Sequence, residues 1–334
     1  MENTRKVQLT GTTTLSVSLP KEWTKRYGVN RGTKLDVLEA NDGSLIVSAV
    51  KRKQEKNQAV LTVEPESDTD QVVRNFLALY LAGSDSIKIS SNQKLSAEIR
   101  RALIGETRRL IGLEATEESA DEIIVQDFFS HEGLSISKTL NRTHLITCNI
   151  YEDLLKALKE NDKALAQNTL SRDDEVDRLR FLLLRQLNLA LSDASLLRKL
   201  DLNASECVNY AIVARAIEHI ADKLAKISKN FAETPPGNKS KTVLKKIVQL
   251  AQDAFAEYEL AFKSFVTGNT QEANKVIENK KGLLEKRYAL EKELFKQSKV
   301  PFQYSIIIDT IAGIADDCSE IAVTTINQST ENKR

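Results

Sequence analysis

The segment AIEHIADKLAKIS (residues 216–228) lies over IAGIADDCSEIAV (residues 311–323) when Ala221-Asp222 is set against Ala315-Asp316. Outward from these segments, the chain reads as helical from about residue 134 to its end. ISKTLNRTHLITCNIYEDLLKALKEN, VDRLRFLLLRQLNLAL and ECVNYAIVARAIEHIADKLAKISKNF carry apolar residues near the 3.6-residue period. AETPPGNKSK (232–241), rich in Pro, Gly and polar residues, interrupts the run. Three further helical segments follow, from KTVLKKIVQL, NTQEANKVIE and VPFQYSIIID onward. Three helices, a break and three helices form an internal repeat too long for a solenoid unit. A duplicated antiparallel three-helix bundle, over 133–232 and 240–330, fits it.

The first 130 residues follow other rules. VQLTGTTTLSVSL alternates around a Gly turn, as strands do, and Pro20 suits the first turn of a helix. Trp23, Tyr27 and Val29 follow at helical and post-helical spacing, with Gly28 as terminator. KLDVLEA, the turn NDGS (41–44) and LIVSAV then read as a hairpin. After a charged linker, KRKQEKNQ (51–58), strands and helices alternate through 59–130, which predicts a small α/β domain over 56–132. No phosphate loop accompanies it, since Gly105 and Gly112 lie outside any G-x-x-x-x-G-K-[ST] pattern. Arg100, Arg101, Arg108 and Arg109 share roughly one helix face. They read as solvated residues with Glu98 and Glu106 as partners.

Charge is near balance overall, with 48 Lys and Arg against 47 Asp and Glu, so nucleic-acid binding requires a local concentration. Residues 1–56 supply one: eleven bases against six acids give about +5. Arg5, Lys6, Lys21, Lys25, Arg26 and Arg31 are the candidate DNA contacts, and dimerisation would double their effect. Cys148, Cys207 and Cys318 are far apart and odd in number, which indicates neither a zinc ribbon nor a disulfide framework. MENTRKVQLT has no apolar signal region, and Asp309 interrupts the most apolar run, SIIIDTIAGIA. A soluble, cytoplasmic protein that is not membrane-embedded is expected.

Asp173 and Asp177 are four residues apart, as are Glu218 and Asp222, so each pair shares a helix face. On neighbouring helices the two pairs could supply oxygen ligands to a hard or borderline metal. The alternative is ordinary exposed acids beside Arg172, Arg178, Arg215 and Lys223. In the second bundle the matching positions are Lys280, Leu284 and Ala312; only Asp316 remains, with Asp317 beside it. His131, His144 and His219 have no metal-binding spacing, and His219, adjacent to Glu218, reads as a bystander. No nucleophile motif accompanies the serines, so an enzyme is not expected.

GTTTLSVSLPKEW, YGVNRGTKLDV and NDGSLIV (within residues 5–50) resemble the AbrB/SpoVT swapped-hairpin class, in which two chains interleave into one barrel and many members bind DNA. RDDEVDRL and RAIEHIADKLAKI resemble PhoU, whose fold is two similar three-helix bundles. The domain order is similar to that of archaeal phosphate-uptake regulators. The resemblance implies a multidomain α+β chain. It comprises an N-terminal swapped-hairpin half-barrel (1–55), a small α/β domain and two tandem PhoU-like bundles. It also implies iron or zinc at Asp173, Asp177, Glu218 and Asp222. The function it implies is a homodimeric, phosphate-linked transcriptional regulator of phosphate uptake. An adaptor that restrains a phosphate transporter or its sensor is the alternative, with transporter subunits as partners. A metal store or metal-dependent hydrolase is a third reading.

Overall fold

The computed structural model describes residues 4–39, 43–49, 57–64, 66–129, 135–170, 172–235, 241–296 and 301–331. It divides into an N-terminal unit, Met1–Asn57, and a larger unit, Gln58–Arg334. The start of the NDGS turn, linker residues 51–56, His131 and residues 236–240 of the Pro/Gly break lie outside the described residues.

In the N-terminal unit β1 (Gln8–Thr10) pairs antiparallel with β2 (Thr14–Ser16), Leu9 opposite Leu15. Helix α1 (Lys21–Arg26) starts after Pro20, and Gly28, at φ +63°, turns the chain out of it. β3 (Asp36–Glu39) and β4 (Leu45–Ser48) form the second antiparallel pair, with Val37 opposite Val47. None of the described side chains in this unit is buried. Leu9, Leu15, Val37 and Leu45 are each more than half exposed. The two ribbons thus leave these apolar side chains bare in a single chain.

The larger unit opens with the α/β layer. Its elements are β5 (Gln58–Thr62), α2 (Thr69–Leu81), β6 (Ser86–Ser90), α3 (Ala97–Arg109), β7 (Leu113–Glu118) and β8 (Glu122–Asp127). Strand order is β5-β6-β8-β7; β5 and β6 are parallel across the α2 crossover, and the other pairs are antiparallel. Alternate residues Ile87, Ile89, Ile123 and Val125 face Phe76, Tyr80 and Leu103 of the two helices. The helices start where side chains cap them: Asp68 accepts from Gln71 N and Ser96 from Ile99 N.

The helical body begins with α4 (Ile136–Glu160), α5 (Lys163–Thr169), α6 (Asp173–Ser192), α7 (Ala194–Lys199) and α8 (Ala204–Ala232). It ends with α9 (Lys241–Thr267), α10 (Thr270–Lys296) and α11 (Gln303–Glu331). α4, α6 and α8 are the three long helices expected in the first set, and the short α5 and α7 lie between them. Each short helix is started by an aspartate cap, Asp162 on Leu165 N and Asp193 on Ser195 N. α8 carries a full capping box between Asn203 and Glu206. One apolar core runs through both sets of helices, from Ile136 to Ala322. Tyr151 crosses between them, donating from Oη to the Ala251 carbonyl at 3.0 Å. Cys148, Cys207 and Cys318 are buried and free within this core.

Candidate functional site

The acids sit on α6 and α8, which run antiparallel, so Asp177 faces Glu218 and Asp173 lies toward Asp222. One oxygen from each of Asp177, Glu218 and Asp222 falls within 4.8 Å of the others. Asp173, the fourth acid of the expected set, lies outside this group of three. As the first residue of α6, it turns Oδ1 onto the Asp174 backbone N–H at 3.0 Å. Burial raises the Asp177 carboxyl to about 6, and the charges of Glu218, Asp222 and Asp173 push the same way. Burial also raises Glu218, and Asp222 adds to it; Arg180, His219 and Arg215 pull it back. Three carboxylate oxygens this close together, on half-buried Asp177 and Glu218 and on exposed Asp222, suit a hard or borderline cation. The donor set is compatible with a metal such as the expected iron or zinc, which Asp177, Glu218 and Asp222 would hold.

The surroundings differ from the sequence reading in three places. Arg109, expected on a solvated face, leaves the α/β layer and reaches the cluster: Nη2 is 3.2 Å from Asp174 Oδ1 and 3.5 Å from Asp177 Oδ2. Arg100 pairs with Glu118 at 2.5 Å, across 18 residues of sequence, instead of Glu98. His219 also touches more than its neighbour. Its Nε2 is 3.8 Å from Glu218 Oε2 and its Nδ1 3.5 Å from Asp317 Oδ1, so it bridges α8 and α11. Lys223 joins the same Asp317, a buried acid. In the second set of helices, Lys280 Nζ lies 2.7 Å from Asp316 Oδ1 and so places an ammonium on the acid matching Asp222.

Deeper along α6, Arg185 is fully buried. Its Nη2 donates to Asp127 Oδ2 at 2.6 Å and to the Ser84 carbonyl at 2.9 Å, and its Nη1 donates to the Tyr80 carbonyl. Its guanidinium stands 4.7 Å over the Tyr80 ring. Asn188 Nδ2 donates to the Leu81 carbonyl at 2.8 Å. Gly83, at φ +88°, comes so close to Leu189 that a Cβ there would lie 2.5 Å from Cδ2. These contacts dock the α/β layer on α6. Their one sequence signal was a charged residue inside the leucine run FLLLRQL.

In the N-terminal unit, Arg5, Lys6, Lys21, Lys25, Arg26 and Arg31 are all exposed. Among the described residues none of the six has an ion-pair partner. Lys21 and Lys25 share a face of α1, one turn apart, with Arg26 beside them. The Trp23 and Tyr27 rings stack obliquely at 5.6 Å behind them.

Comparison with known proteins defines the two regions. Residues 140–231 match the PhoU domain family. Residues 8–57 match the family described as antidote-toxin recognition MazE, bacterial antitoxin. The chain thus carries a PhoU domain in its helical body and a MazE/AbrB-like domain at its N-terminus. Among solved structures, PhoU from Pseudomonas aeruginosa is 16% identical, with TM-score 0.47 over 59% of this chain and 96% of that one. PhoU from Streptococcus pneumoniae is 17% identical, with TM-score 0.46 over 59% of this chain and 94% of that one. A search of curated proteins gave no match. Among the described residues no helix is long and apolar enough to cross a membrane.

Proposed function

We propose that the chain is a phosphate-linked transcriptional regulator of phosphate uptake. Its N-terminal unit binds DNA as a homodimer, and its helical body receives the signal. One observation carries this reading: six exposed cations without ion-pair partners lie on a unit that buries none of its described side chains. A second copy would cover Leu9, Leu15, Val37 and Leu45 and bring twelve such cations onto one particle. The PhoU match supports phosphate uptake as the regulated process. PhoU-type families are regulatory ones, which favours signalling over catalysis. Iron or zinc at Asp177, Glu218 and Asp222, with Asp173 one turn away, is the proposed cofactor; bound there, it would supply charge to the cluster.

Mapping of chromosomal DNA bound by the chain in phosphate-rich and phosphate-starved cells tests the reading. Occupancy upstream of phosphate-uptake genes that changes with phosphate is expected; occupancy indifferent to phosphate at unrelated sites would overturn it. A second reading, an adaptor acting on a phosphate transporter, is favoured by the exposed rings of Tyr288, Phe295 and Phe302. Transporter subunits that co-purify even after Lys21→Glu and Arg26→Glu would support that route instead.

A further inference from the structure

With the acid cluster taken as a cation site, as proposed above, the α/β layer is held on α6 at two points of opposite character. Arg185 is the dry one, fully buried and bonded to Asp127 and two carbonyls. Arg109 is the wet one, its side chain 43% exposed. The two contacts lie about 12 Å apart along α6, from the rise per residue between Asp177 and Arg185. At the wet point Arg109 closes α3 onto the body, and Arg178 Nε donates to the Arg109 carbonyl at 2.8 Å. Nη1 also stays 3.3 Å from Glu106 on its own helix, so the guanidinium keeps a local partner if it lets go of α6.

The wet contact shares a residue with the cation site. Arg109 Nη2 lies 3.5 Å from Asp177 Oδ2, and Asp177 is one of the three converging carboxylates; the same Nη2 is 3.2 Å from Asp174 Oδ1, which is not among them. A metal draws those oxygens toward itself and places a second positive charge next to the guanidinium. We infer that cation binding at Asp177, Glu218 and Asp222 displaces Arg109 from Asp177 and loosens the α3 terminus, leaving Asp174 and Arg178 as its holds on α6, while Arg185 keeps the layer docked. The resident guanidinium thus sets both the affinity of the site and the response to its filling. β5, the first strand of the same layer, starts at Gln58, directly after the N-terminal unit ends at Asn57. The layer is accordingly the covalent route from the helical body to the DNA-binding unit.

Linkage makes the effect reciprocal: removing Arg109 must tighten cation binding by as much as Arg109 opposes it. The test uses the full chain, Zn2+ alone as probe, calorimetry at pH 7 and hydrogen exchange over residues 106–112. Arg109→Gln is expected to bind Zn2+ about tenfold more tightly, the scale of one like charge removed beside a partly exposed site. In the wild type, Zn2+ is expected to speed exchange over 106–112. In Arg109→Gln that exchange is already fast and Zn2+ leaves it unchanged. Arg109→Lys, which keeps the charge, falls nearer the wild type. If Zn2+ binding is lost in Asp177→Asn/Asp222→Asn but identical in wild type and Arg109→Gln, the displacement is wrong and the cation site stands. If the wild type binds no more Zn2+ than Asp177→Asn/Asp222→Asn, the cation site falls and the displacement with it.

Discussion

Replacing Arg185 by Met tests the docking of the α/β layer with the fewest side effects. The substitution keeps much of the side-chain volume, and the guanidinium it removes is fully buried. Asp127 Oδ2 then loses its 2.6 Å partner while the Asp127 side chain remains 3% exposed. Breaking a buried pair from one side costs about 3–5 kcal/mol, because the remaining buried charge is less well compensated. The Tyr80 and Ser84 carbonyls also lose a donor, at about 1 kcal/mol each. Part of this is recovered by water entering the gap, so a loss of about 4 kcal/mol is expected, against the ~5–15 kcal/mol of an ordinary domain. Urea unfolding followed by fluorescence measures it, and limited proteolysis shows whether the α/β layer is cut first. Arg185→Met/Asp127→Asn should regain about half the loss, since Asn can still accept from Phe129 N, now bonded to Asp127 Oδ1 at 2.8 Å, without a stranded charge. A single-variant loss below about 1 kcal/mol, or a double variant less stable than the single, would refute this account of the anchor.

Three other outcomes follow from the same structure. Burial lowers His144 to about 4 where its Nδ1 shares a 2.9 Å hydrogen bond with Tyr258 Oη and its ring stacks on Phe262. The unfolded chain binds this proton first, so stability should fall by about 3 kcal/mol as pH drops from ~6.5 to ~4. Comparing unfolding curves with His144→Gln isolates that part, which the variant should lack. Gly83→Ala forces a Cβ against Leu189 at φ +88°, and a loss of about 2 kcal/mol by thermal unfolding is expected. Leu9→Lys with Leu15→Lys alters side chains already exposed in one chain, so a monomeric protein would tolerate it. Light scattering should instead show a dimer becoming a monomer; an unchanged mass would sink the shared-barrel reading.

Local pattern disclosed most of the fold. Alternation around Gly11, proline before α1 and the 3.6-residue period of α4, α8 and α11 each depend on neighbours a few residues apart. The acid pairs were legible for the same reason, because i and i+4 on a helix is a local relation. What was not legible is long-range. Arg109 meets Asp174 across 65 residues and Arg185 meets Asp127 across 58. His219 joins Asp317 only because α8 and α11 pack side by side. Spacing also did not show that one Asp173 oxygen accepts from the Asp174 N–H at the start of α6. Arg185 did leave a trace, since a guanidinium amid leucines must find buried acceptors. The sequence does not say which ones.

The central claim is that this chain acts on DNA through its N-terminal unit. Fluorescence anisotropy of the intact protein on promoter DNA of phosphate-uptake genes, repeated from 50 to about 200 mM salt, tests it most directly. Six exposed cations per chain predict a loss of affinity of about a thousandfold or more over that range. Lys21→Glu/Lys25→Glu/Arg26→Glu/Arg31→Glu should abolish binding while leaving the mass of the dimer unchanged. No binding by the intact protein at 50 mM salt, or equal binding by this charge-reversed variant, would contradict the account.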